Sequence, residues 1–354
     1  MVTTIHMTQN GAGAKNGSNW DNAIAENQIG SYFYSDYHFY VKGNLTISAN
    51  WSTSGDRIKV VGVKSDAGYP VTRSDIAFGS DRPQITMGGY YWNIDTQSEV
   101  SNMIFSGSNT TYLLQMDAYS TVYNCKFTNT SNNNMINFAS DGWERVIGCE
   151  FHGTTNAGRF GVAGGEVDLR ILGCFFDGVN GINAATDVCV SNCIFAGAPN
   201  YGIDIGSNAR GYFTNNLFYN NAVGMSTGSY ATIINNMFVS NTTAVSNSAT
   251  QFISDGNNWY GNTADFSASD IGLCGFTASK GPNELALDPQ FTDAANNNFT
   301  VGNSSVRALG FLSVNWDDMN LTGDFNHDIG ATQAAGGGEG TVSVIRRPSL
   351  RGHF

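Results

Sequence analysis

The sequence predicts an all-β solenoid built from short parallel strands. Three observations carry that prediction: the composition, a repeat of about 22 residues, and the columns the repeat generates. The 354 residues include 42 glycines but only 6 prolines, and 13% are charged, about half the usual share. Such a chain is turn-rich and has little material for long amphipathic helices. A 41% hydrophobic content with 12% aromatics excludes disorder. Lys+Arg 17 against Asp+Glu 29 gives a net charge of −12, which argues against a nucleic-acid partner, because phosphate binding needs clustered basic residues. No apolar run is long enough to span a membrane as a helix.

The repeat is a β-branched or aromatic residue, a spacer, Asn or Gly, then Cys or Asn, a spacer and Phe. It reads VYNCKF, VIGCEF, ILGCFF, VSNCIF, FTNNLF and IINNMF, ending at Phe127, Phe151, Phe176, Phe195, Phe218 and Phe238. VSNMIF at Phe105 and SDGNNW at Trp259 are weaker outer copies. This period is too short for two-helix repeats, and the leucine ladder of a leucine-rich repeat is missing. A parallel β-helix remains, in which equivalent residues of neighbouring coils stack about 4.8 Å apart. One stacked column holds Cys125, Cys149, Cys174, Cys193, Asn216 and Asn236, and a second holds the six phenylalanines. Gly107, Asn129, Gly153, Gly178, Gly197 and Asn220, two residues beyond the aromatic in most coils, are expected to mark a corner of positive φ.

These motifs resemble the right-handed parallel β-helix superfamily of pectate lyases, alginate lyases and phage tailspikes. GAGAKNGSNWDNAIA near the start and DPQFTDAANNNFTVGNSSVRALG followed by DIGA are similar to the opening and closing segments of such proteins. Ser305-Val306 stands where the family usually has Pro-Ala. The resemblance implies a right-handed, single-stranded β-helix of about ten coils, with an N-terminal cap, a C-terminal cap and an extended arm.

The chain accordingly divides into four stretches. Residues 1–30 form an N-terminal cap, in which Ser18 and Asp21 suggest the start of a short helix. Residues 31–262 form the coils, 263–335 the C-terminal cap region, and 336–354 a Gly-rich linker and basic arm. Three of the eleven arginines, Arg346, Arg347 and Arg351, fall in the final fourteen residues, and with Phe354 they read as a docking segment for a partner. The opening residues lack the basic and continuous apolar regions of a secretory signal, so the expectation is a protein made in a host cytoplasm that stays there or leaves by a route other than secretion, with an extracellular location as the alternative.

Several clusters could carry chemistry. The cysteine column has no metal-ligand spacing and continues as asparagine, so it reads as a buried thiol ladder in which each Cys is a small hydrophobe. Arg145 and Arg170 each lie four residues before a column cysteine and should stack, with Glu166 and Asp168 close by and Glu144, Glu150, His152 and Arg159 adjacent in sequence. A β-elimination lyase needs a base at the carbon next to a uronate carboxylate and a cation, Arg or Ca²⁺, to stabilise the enolate. Lys126 is the only lysine between residues 65 and 279, which makes the match to lyase chemistry thin. Asp141, Glu144 and Asp204 could serve as a glycosidase pair. Asp324, Asn326 and Asp328 alternate as in a calcium loop, although the glycine falls one place late. Tyr90, Tyr91, Trp92 and Trp143 could stack on sugars or be packed inside.

Two function classes follow. The first is a structural protein of a virus particle, a phage spike, fibre or capsid decoration. It would be attached to other virion proteins through the arm, a homotrimer by the resemblance, and able to bind a host-surface glycan. The alternative is a polysaccharide lyase or depolymerase, with Ca²⁺ as its possible cofactor. The first expects no cofactor.

Overall fold

The computed structural model describes residues 3–31, 36–52, 55–108, 112–129, 134–139, 142–153, 160–164, 168–206, 209–228, 230–247, 251–267, 280–281, 283–307 and 314–315. The chain winds as a parallel β-solenoid with three sheets running along its length, of twelve, ten and ten strands. One coil shows the plan. Leu217–Tyr219 lies in the second sheet, Val223–Thr227 in the third and Tyr230–Ile234 in the first, after which Met237–Val239 re-enters the second sheet one level on. Every contact between coils in these sheets is a parallel pairing in near-constant register, so each position of a coil generates a column.

Three inward columns fill the interior. The first sheet contributes Val100, Val122, Val146, Ile171, Val190, Phe213 and Ile233 in register, all fully buried. The third contributes Leu114, Ile136, Val162, Ile182, Ile203, Met225 and Val245. The second contributes the aromatic column. Phe105, Phe127, Phe151, Phe176, Phe195, Phe218, Phe238 and Trp259 stack with centroids 4.5 to 5.2 Å apart and planes within 10° of parallel. The coil spacing imposes that separation, and it coincides with the offset-stacked optimum for aromatic pairs.

The corners differ from the sequence expectation. Positive φ falls chiefly on the residue just before the Cys/Asn column: Asn102, Asn124, Gly148, Gly173, Asn192, Asn215, Asn235 and Gly256. The position two beyond the aromatic takes positive φ only from Gly178 onward, at Gly197, Asn220, Ser240 and Gly261. In the earlier coils Gly107, Asn129 and Gly153 still belong to second-sheet strands, which are one residue longer there, so the chain has not yet turned.

At the N-terminal end, strands Thr3–Thr8 and Ile24–Ala25 extend the first sheet. The expected helix is a 3-10 turn at Trp20–Asn22, capped by Asn19 and not Ser18, because the Asn19 side chain is the one that accepts from the Asn22 amide. At the other end the chain folds back along the rod. Phe291–Asp293, Asn298–Val301 and Val314–Asn315 form a small antiparallel sheet. Its residues Phe299 and Val301, with Val306 of the helical turn Ser304–Arg307, join the outward side chains Phe175, Ile194, Leu217 and Met237 of the second sheet in a separate hydrophobic cluster.

Candidate functional site

The outer face of the first sheet gathers exposed aromatic side chains beside three arginines. Its outward column runs Thr121, Arg145, Arg170, Cys189, Tyr212, Thr232 and Ile253 in strict pairing. A neighbouring column at the strand starts includes Arg210 paired with Tyr230. Trp143, 55% exposed, immediately precedes its strand, and the Arg170 guanidinium lies 6.0 Å from its ring. Arg210 stands over Tyr230 at 5.5 Å. Arg210, Tyr212, Tyr230, Thr232 and Ile253 line an open depression of about 290 Å³. Among the described residues, Arg145, Arg170 and Arg210 have no carboxylate partner, whereas Arg57 and Arg82 are both ion-paired. Directly paired Arg145 and Arg170 place like charges on adjacent strands, an arrangement that costs stability.

The mixed-charge patch read from the sequence is two separate sites. Arg145, Arg170 and half-buried Asp168 belong to the first sheet, while Glu150 and His152 face outward from the second. Sequence proximity misleads here because one coil turns through all three faces. Glu166, Asp141 and Arg159 lie outside the described residues. Glu144 is buried at 1% exposure and Asp204 lies on the third sheet beside Asn183, so these two do not form a glycosidase pair.

The second-sheet cluster has partners no local reading supplied. Glu150 accepts from Arg82 at 2.9 Å, lies 3.5 Å from Lys126, and is 3.3 Å from His152 Nε2. His152 Nδ1 is 3.3 Å from Asp177. Burial alone would push the Glu150 carboxyl up, but the His152 bond and the Arg82 and Lys126 charges outweigh it and hold it at about 2. For His152 burial acts downward, and its bonds to Asp177 and Glu150 overcome that and raise it. Arg82 is 68 residues from Glu150, and only coil geometry could have paired them.

The Cys/Asn column is a continuous hydrogen-bonded ladder. The amides of Cys125, Cys149 and Cys174 donate to the thiols of Cys149, Cys174 and Cys193 at 3.3 to 3.4 Å. Cys193, Asn216 and Asn236 donate to Asn216, Asn236 and Asn257 at 2.8 to 2.9 Å. Asn257 donates to Glu284, which ends the series. Burial pushes the Cys125, Cys149 and Cys174 thiols far up, which leaves them unreactive. A second ladder, Ala198 to Asn221 to Asn241 to Asn262, runs at another corner. Among the described residues no group of three or more His, Cys, Asp or Glu side chains is placed to hold a metal ion. Asp324, Asn326 and Asp328, and the arm residues Arg346, Arg347, Arg351 and Phe354, lie outside the described residues. Trp92 is fully buried, Tyr91 packs on Tyr112, and Tyr90 is exposed.

With this geometry in place, one solved structure can be set beside the chain, the crystal structure of pectate lyase Pel9A. The two are 13% identical and superpose with a TM-score of 0.55 over 89% of this chain and 90% of that one. The likeness is one of fold. No protein-family model matches the sequence, and no curated protein matches it.

Proposed function

We propose that this chain is a glycan-binding β-solenoid that receives a saccharide on the outer face of its first sheet. One observation carries the reading. Of the eight large apolar side chains left exposed among the described residues, six (Tyr119, Trp143, Tyr212, Tyr230, Ile234 and Ile253) lie on or at the entry to first-sheet strands. Aromatic platforms beside unpaired arginines suit sugar rings, whose apolar faces stack and whose hydroxyl and acidic groups take guanidinium hydrogen bonds. Exposed apolar surface so concentrated marks a binding surface. The fold shared with a pectate lyase supports the same class of ligand.

A glycan array followed by titration tests this. Binding should fall at least tenfold in the double variant Trp143→Ala/Tyr212→Ala, and wild-type silence across acidic and neutral glycans would end the reading. Turnover as a lyase is the enzymatic extension. It predicts ultraviolet absorbance from unsaturated uronate ends, lost on Arg145→Ala or Arg170→Ala. Display of this face on a virus particle, as a trimer held by the arm of residues 336–354, is a further proposal resting on the sequence and the family resemblance. Removing the arm should leave the solenoid folded and abolish incorporation.

A further inference from the structure

Five consecutive first-sheet coils carry two groups of arginine and aromatic side chains. Trp143 precedes strand Glu144–Ile147, Arg170 lies on the next strand, Cys189 on the third, Arg210 on the fourth and Tyr230 on the fifth. The first coil also carries Arg145 and the fourth Tyr212, so two groups of arginine and aromatic side chains flank the small thiol of the middle coil. Each arginine lies against its own aromatic, at 6.0 Å for Arg170 and Trp143 and 5.5 Å for Arg210 and Tyr230. Along the axis two coil steps separate the arginine positions, about 10 Å, and four separate the aromatics, about 19 Å, with Arg170 two residues further along its strand than Arg210.

From this order we infer that the face is bipartite: two arginine–aromatic clamps grip one linear anionic saccharide at two points along the solenoid axis. The inference rests on the glycan-binding reading and adds the charge, orientation and minimum length of the ligand. Both guanidinium groups lack carboxylate partners among the described residues, so each is available to an anion. Asp168, half-buried, precedes the Arg170 strand itself, and Asp187, which accepts from the Arg210 amide, precedes the Cys189 strand between the two arginine coils. The ligand therefore sets its charged groups against the two guanidinium groups and turns neutral hydroxyls toward Asp168 and Asp187. A chain reaching only one clamp gains one set of contacts. One that spans both makes its second contact intramolecularly, which multiplies affinity on the order of 10²-fold or more.

Calorimetric titration with size-defined oligogalacturonates, from dimer to octamer, tests this beside neutral oligomers of equal length. The expected result is a step in affinity of at least tenfold once the oligomer bridges both clamps, steeply weakened by salt and absent from the neutral series. Arg170→Gln and Arg210→Gln should each erase the step while leaving short-chain binding at the unmutated clamp, with unchanged circular dichroism and no loss of melting temperature. A smooth rise with length, equal binding of neutral chains, or a silent Arg210→Gln would overturn the two-clamp inference and leave glycan binding standing. No binding of any glycan would remove both. A wild-type mass that falls to monomer on Trp143→Ala would assign the face to self-association instead and also overturn it.

Discussion

Asn236 shows how one side chain can hold a coil to both neighbours. Fully buried, it accepts from the Asn216 amide at 2.9 Å and side chain at 3.0 Å, and it donates to the Phe213 carbonyl and to Asn257 Oδ1. Asn236→Ala strands two buried donors and an acceptor, a loss of about 3 kcal/mol or more. Asn236→Cys should cost less, since cysteine fills the same column in four earlier coils and accepts the same amide. Urea midpoints of the two variants check the order, and equal losses would mean that volume, not hydrogen bonding, decides the column. His152 gives a pH-dependent counterpart. Its folded value is raised, so its stabilisation is complete below the ordinary imidazole value of about 6.5 and fades as pH rises through the folded value. Glu150 has the opposite sign: its contribution is present above about 4.3 and is lost as pH falls toward 2. The stability gap between wild type and His152→Gln should be on the order of 1 kcal/mol at pH 6 and shrink in alkaline buffer. A gap constant with pH would mean that His152 acts by packing alone. The Phe and Cys/Asn columns were legible because a single residue type recurs. The Arg82–Glu150 pair was not, because each half is unremarkable in its own segment.

At the scale of elements, a glutamate gathers an amide and an indole near each end of the rod. Glu26, 3% exposed, accepts from the Ser48 amide and the Trp51 indole near the first coils. Glu284 accepts from the Asn257 amide and the Trp259 indole at the last. Glu284 ends a ladder whose amides all donate toward it, and a carboxylate, which only accepts, suits that place, whereas Glu26 takes its amide and indole outside that ladder. Neither glutamate belongs to the repeat, so nothing in the period pointed to them. The C-terminal segment was recognisable from its resemblance to closing segments of β-helix proteins. Its seat on the second sheet was not, because Ile194, Leu217 and Met237 read equally well as inward residues. Their burial beneath Phe299 and Val301 makes a satellite core separate from the main one. Phe299→Ala, at a fully buried ring 5.4 Å from Tyr219 and 5.5 Å from Phe291, should cost about 3–5 kcal/mol locally. Hydrogen exchange would show the Asn298–Val301 amides losing protection while the Phe218 and Phe238 strands keep theirs. Loss of protection along the whole rod would show that this segment is required for the solenoid itself.

For the whole molecule, stability and function meet in the coil as a removable unit. In a solenoid each coil touches only its neighbours, so deleting one complete period removes one set of interfaces and joins two others. Residues 175–193 are such a period, with strands Phe175–Asp177, Asn180–Ala184 and Val188–Ser191, one in each sheet. Their excision would set Phe151 on Phe195, Cys149 beneath Cys174 as before, and Leu169–Leu172 against Arg210–Thr214, keeping aromatic on aromatic and strand on strand. The shortened chain should fold with the same circular dichroism signature. It would be less stable, because Asp177 is lost from His152 as well as one coil from the rod. The deletion also takes Cys189 from between the clamps, and Arg170 and Arg210 then stand one coil step apart, about 4.8 Å where there were two steps. If both clamps hold one chain, the oligomer length at which affinity steps upward must become shorter in the excised protein. If the step stays where it was, the clamps do not share a ligand. A shift with no change in either clamp residue would tie the ligand's length to the solenoid's own repeat, the feature that first appears as phenylalanines about 22 residues apart in the sequence.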